Sequence, residues 1–144
     1  MWYVKRNIGY YVLASLIMLN CCSCQWTDEG NYVDKLDEIK KVEIVELGEY
    51  HQETYQFDYC FSFEITNIQE FLEEFSNVER HTYWGDPHSL YQGEIVIKIV
   101  YKNDDYDLVG ADAQYEKRKG IWYDNFLRFD EAQFKALIDK YISE

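Results

Sequence analysis

The chain has 144 residues, enough for one ordinary domain and a short appendage. Nearly half of them are apolar and 18% are aromatic, which excludes global disorder and supplies a packed core. A formal net charge of −13 excludes nucleic acid and anionic lipid headgroups as partners, because like charge repels both.

Met1 to Asn20 follow the secretory plan: Lys5 and Arg6 form a positive start, and Ile8 to Leu19 an apolar run of 12 residues. As a helix this run extends ~18 Å at ~1.5 Å per residue. A bilayer core of ~30 Å needs far more, so the run is expected to be the apolar heart of a signal peptide. Lys5 and Arg6 are the only charges before residue 22. Removal of residues 1–21 therefore leaves 12 basic against 27 acidic residues, a net charge of −15.

Behind the run stands Leu19-Asn20-Cys21-Cys22-Ser23-Cys24. It resembles the lipobox of bacterial lipoproteins, in which Leu three residues before the modified Cys is followed by a small residue in front of that Cys. Cys22 matches best, with Leu19 in place and Cys21 in the small-residue slot; Cys21 and Cys24 are the alternatives. The resemblance implies acyl chains (palmitate among them) on one of these sulfurs. Two chains on one cysteine anchor a protein without any transmembrane helix, whereas one chain binds only marginally. The implied address is a bacterial cell envelope, facing the periplasm or the exterior. Cys21 and Cys24 also spell C-x-x-C, but no second pair completes a zinc site and no strand–helix context suggests a redox motif. After processing at Cys22, Cys24 and Cys60 remain, and their pairing is open.

Gln25 to Lys41 reads as an acidic spacer with a helical turn around Val33 to Ile39. Val42, Ile44 and Leu47 mark a first strand ending at Gly48. From Tyr55 to Ile65 the alternation is strict, with Tyr55, Phe57, Tyr59, Phe61, Phe63 and Ile65 on one face. That pattern predicts an antiparallel strand with one face buried. Thr66 and Gln69 form a capping box for a helix whose apolar stripe is Ile68, Phe71, Leu72, Phe75 and Val78. Three strands are expected next: Glu94 to Tyr101, with Ile95, Ile97, Ile99 and Tyr101 inward, then Asp107 to Tyr115, then Ile121 to Phe129. Asp130 caps a last helix with Phe134, Leu137, Ile138, Tyr141 and Ile142 buried. The reading is an α+β fold: one antiparallel sheet of about five strands, ordered β-β-α-β-β-β-α, with two amphipathic helices on one face. Residues 1–21 are the signal peptide, 22–41 the lipidated cysteine and spacer, and 42–144 the single domain. The pattern from Val42 to Ile142 resembles small bacterial lipoproteins of uncharacterised function, and implies location and fold but no activity.

No catalytic motif emerges, and no cofactor is expected. The loop from Arg80 to Gly93 gathers His81, Tyr83, Trp84, Asp86, His88 and Tyr91. Its aromatic residues suit partner binding, with Tyr83, Trp84, Asp86, His88 and Tyr91 the candidates. His81, Asp86 and His88 can alternatively be read as ligands of a small metal-dependent hydrolase, although their spacing matches no ligand pattern. Asn103, Asp105 and Asp107 alternate like the opening of a calcium loop, yet Leu108 stands where glycine is required and Gln114 where glutamate is. A solvated turn is expected there. Cys60 has no histidine close in sequence to activate it. The expected function is a non-enzymatic, membrane-tethered module, inhibitor-like or immunity-like, that holds a basic protein through an acidic sheet face and the Tyr83–Tyr91 loop. A purely structural envelope component is the third reading.

Overall fold

The computed structural model describes residues 31–82, 89–125 and 127–143. The fold is mixed α+β. A 3-10 helix, Val33–Glu38, leads into strand β1, Ile39–His51, which pairs antiparallel with β2, Gln56–Glu64. Helix α1, Ile68–Ser76, follows, then β3, Arg80–Thr82. The remaining strands are β4, Ile95–Tyr101, β5, Tyr106–Val109, β6, Gln114–Arg118, β7, Ile121–Asn125, and β8, Leu127–Phe129. Helix α2, Glu131–Ile142, closes the described chain. Six strands form one antiparallel sheet in the order β2-β1-β4-β5-β6-β7, and β3 pairs with β8 in a small second sheet.

The sheet thus has one strand more than the sequence pattern suggests. The stretch Asp107–Tyr115, expected as one strand, is broken by a turn in which Gly110 N–H donates to the Ala113 carbonyl over 2.8 Å. The turn is crowded around Gly110: a β-carbon there would displace the Glu94 carboxylate and meet Leu90 at 3.2 Å and the Ala113 carbonyl at 3.3 Å. Ile121–Phe129 also divides. Its first half stays on the main sheet, and Leu127–Phe129 leaves to pair with Arg80–Thr82.

One face of the large sheet carries the helices. Val42, Ile44, Ile97, Ile99 and Val109 meet Phe71, Leu72 and Phe75 of α1 and Phe134, Leu137, Ile138 and Tyr141 of α2 in one buried cluster. Aromatic edges bind the two helices: Phe71 meets Tyr141 in a T-shape at 4.9 Å, and Phe75 meets Phe134 likewise at 6.1 Å. Asn67, not Thr66, caps α1. Its Oδ1 accepts from Glu70 N and its Nδ2 donates to Glu70 Oε2, so one amide does the reciprocal work of a capping box. Asp130 caps α2 by accepting from Gln133 N over 2.9 Å. The ordered core reaches back to Tyr32, which is 2% exposed beneath α1 and stacks on Phe75. Among the described residues, no helix is long and apolar enough to cross a membrane.

The alternation of residues 55–65 does not lie on one face. Glu46 pairs with Phe61, but Leu47 pairs with Tyr59, so Cys60 is a surplus residue, a β-bulge. The bulge reverses the phase of β2. Phe63 packs with the helix-side core, whereas Phe57 and Tyr59 pack on the opposite face with Val45, Leu47, Val96 and Leu108. A second irregularity follows, between Leu47–Tyr59 and Tyr50–Phe57, with the surplus residue now in β1. Gly48 sits there, so close to Asp58 that an added β-carbon would lie 2.9 Å from the Asp58 Cβ. The two bulges bend the hairpin end of β1 and β2 out of the plane of the sheet.

Candidate functional site: an aromatic groove on the sheet face without helices

The bend of this hairpin shapes the second face of the sheet. β2 and β7 stand five strand spacings apart, ~24 Å in a flat sheet at ~4.8 Å per strand. Yet Tyr55, at the tip of the β1–β2 hairpin, accepts at its carbonyl from Trp122 Nε1 of β7 over 2.8 Å and from Lys117 Nζ of β6 over 3.3 Å. The sheet must therefore curl across the face opposite the helices. Tyr55 itself has a φ of 54°, the left-handed backbone that lets the tip turn.

Between the hairpin and the sheet lies a groove of 370 Å³ lined by Tyr50, Phe57, Ser89, Leu90, Tyr115 and Trp122. Tyr50 and Phe57 form its roof, with ring centroids 4.8 Å apart. Tyr115 and Tyr106 each present a ring edge to Trp122, at 6.3 and 5.5 Å and nearly perpendicular. With its N–H already bonded, the indole is fixed in place. Farther along the face, Lys98 Nζ stands 4.2 Å from the Tyr59 ring centroid and 5.0 Å from that of Tyr106. Lys117 Nζ lies 5.1 Å from Trp122. Burial lowers the proton affinity of both lysines, and it raises that of the Tyr59 hydroxyl.

The uncovered sheet face is consequently aromatic, with Lys98 and Lys117 over its rings and Glu43, the cross-strand neighbour of Lys98, paired with Lys41 at 3.1 Å. A second carboxylate lies at its margin. Glu94, just before β4, is held over Gly110 and accepts from Tyr91 N over 3.3 Å. Burial, opposed by that hydrogen bond and assisted by nearby Asp112, pushes its carboxyl up to about 7.

Of the six candidates singled out in the loop, His81 and Tyr91 fall within the described structure; Tyr83, Trp84, Asp86 and His88 lie outside it, as do Cys21, Cys22 and Cys24. Tyr91 is 65% exposed beside Leu90, which lines the groove. His81 is exposed on β3, its backbone in register with Arg128. Cys60 is exposed and has no disulfide partner among the described residues. Ile95, expected inward, is 41% exposed, and Val96 takes the buried place on the aromatic face.

The calcium-like triplet is divided between two roles. Asn103 and Asp105 bond each other in the turn, and Asp105 also accepts from Lys119 N over 2.8 Å. Asp107 is fully buried and accepts at Oδ2 from Tyr32 OH, 3.0 Å, and Tyr101 OH, 2.8 Å. Arg118 Nη1 stands 2.6 Å from the other oxygen, an ion-pair contact off the hydrogen-bonding direction. Gln114 Nε2 donates to Tyr32 OH over 2.6 Å. Burial, seconded by the Asp107 carboxylate, thus keeps both tyrosines protonated far beyond their ordinary range. Among the described residues, no cluster of three or more His, Cys, Asp or Glu side chains is placed to hold a metal.

The groove was missed by reading the strands as one-sided. The signal is present in Ile95–Tyr101, apolar at every position except Lys98, which is the mark of a strand covered on both faces. No protein-family model, curated protein or solved structure matches the chain.

Proposed function

We propose that this protein is a cell-envelope lipoprotein, tethered through Cys22 or one of its neighbours Cys21 and Cys24, that binds a basic protein partner without catalysis. The observation that carries this reading is the groove of Tyr50, Phe57, Tyr115 and Trp122. Rigid aromatic walls supply contact area at low entropic cost, the usual composition of a recognition patch. The net charge of −13 adds long-range attraction for a cationic partner. An inhibitor or immunity-type role fits such a module.

Affinity capture from envelope extracts tests the binding role. A basic protein retained at low salt, released at high salt and lost on Trp122→Ala supports it; a salt-insensitive partner, or none, defeats it. Mass spectrometry of the mature N-terminus tests the tether. The expected product begins at an acylated cysteine, and retention of Met1 with no acyl mass refutes the anchor.

A further inference from the structure

Resting on the binding role just proposed, we infer that the groove is a receptor for an arginine side chain of the partner. The guanidinium lies at its Glu94–Asp112 end and the stem lies against the rings of Tyr50, Phe57 and Tyr115.

The argument is one of charge placed along an aromatic surface. Leu90 lines the groove, and both Leu90 and the Glu94 carboxylate stand against Gly110, so Glu94 borders the groove at its Leu90 end. Asp112 repels the Glu94 charge, and no cationic side chain among the described residues offsets that repulsion. A half-desolvated carboxylate beside a second acid is short of a positive partner. The lysines of the same face do not supply one. Lys98 is four residues along β4 from Glu94, ~13 Å of strand at ~3.3 Å per residue. Lys117 pairs with Tyr106, which is as far from Gly110 along β5. Each already stands over aromatic rings.

The face therefore runs from the unbalanced Glu94–Asp112 acids at one end to a charge-balanced group at the other, where Glu43 is shared by Lys41 and Lys98, with the aromatic lining of the groove between. A cationic guest is drawn to the first end, because the carboxylate at the other, Glu43, already has Lys41 and Ser62 as partners. Arginine suits it better than lysine, because a planar guanidinium stacks on rings and bonds carboxylates in a fork.

The test is a proton–nitrogen NMR titration of the full chain in detergent micelles with capped Gly-Arg-Gly, Gly-Lys-Gly and Gly-citrulline-Gly. The arginine peptide should shift the Trp122 indole signal and the amides of Tyr50, Leu90 and Tyr115. Citrulline, of the same shape without charge, should bind about tenfold more weakly, as should the arginine peptide against Glu94→Gln. Equal binding of citrulline, or shifts confined to other acidic surfaces, overturns the inference. Tyr115→Leu, checked for an otherwise unchanged spectrum, should weaken the arginine peptide as well; unchanged affinity also overturns it. The two readings fail separately. A basic partner captured equally well by Glu94→Gln and Tyr115→Leu sinks the arginine site alone, whereas arginine binding with no basic partner in the envelope sinks the broader role alone.

Discussion

The Trp122 indole donates its N–H to the Tyr55 carbonyl over 2.8 Å and so fastens the last strand of the large sheet to a hairpin tip 67 residues earlier in the chain. That single bond, seconded by Lys117 at 3.3 Å, holds the hairpin over the aromatic groove.

Trp122→Phe keeps an aromatic side chain, though a smaller one, and removes the donor. We expect a loss of about 1 kcal/mol, the net worth of one ordinary hydrogen bond. Faster amide exchange should be concentrated between His51 and Phe57, read by hydrogen–deuterium exchange. Exchange that changes evenly over the whole molecule would contradict the fastening role.

The buried pair of Tyr32 and Asp107 makes the segment before β1 part of the fold. In Tyr32→Phe the ring remains, but Gln114 loses its acceptor and Asp107 one donor. A cost of about 1–3 kcal/mol is expected from urea unfolding. Asp107→Ala should cost about 3–5 kcal/mol because Arg118 then keeps a partly buried charge without its nearest counter-ion. Groove binding by a Tyr32→Phe protein should be unaltered, since the network lies on the helix side of the sheet.

Gly48→Ala should be more harmful than a one-carbon change on an ordinary strand. The new methyl meets both the Cβ of Asp58 and its backbone, neither of which can swing aside. We expect a loss of about 1–3 kcal/mol, typical of overpacking. The expected displacement of the hairpin would appear as changed Tyr50 and Phe57 side-chain signals.

Glu94 sets a pH dependence whose sign is unusual for a carboxylate. Its folded value, about 7, lies above the ordinary 4.5, so the fold prefers the protonated form. The stability it contributes is complete below the unfolded value and is lost as pH rises from about 4.5 to about 7. Because the group is partly in water, a discounted loss of about 1 kcal/mol is expected. Glu94→Gln should flatten this segment of the stability–pH curve. A variant whose curve still falls over the same interval would show that another group is responsible.

Much of the architecture was legible in the residues. The apolar stripes of both helices, the Asp130 cap and the turn at Asn103–Asp105 follow from local spacing and side-chain chemistry. The groove was not, because its making depends on interruptions. The alternation of Tyr55–Ile65 gives no hint that Cys60 is a surplus residue, since a bulge is imposed by the partner strand and not by the pattern itself. The turn at Gly110 was hidden for a similar reason: Val109 and Ala111 continue the apolar run, and only the crowding by Glu94 and Leu90 shows why glycine stands between them. Trp122 and Tyr55 lie far apart in sequence, and nothing local connects them.

The kink at Cys60 has a further effect, on how copies of this molecule meet. β2 is one of the two outer strands of the sheet, with a margin of backbone groups able to template another chain. Because the strand changes phase partway along, a neighbour laid against that margin falls out of step at Cys60 and cannot zip along its length. At this edge, then, the register break works against strand-to-strand fusion of crowded molecules into ribbons.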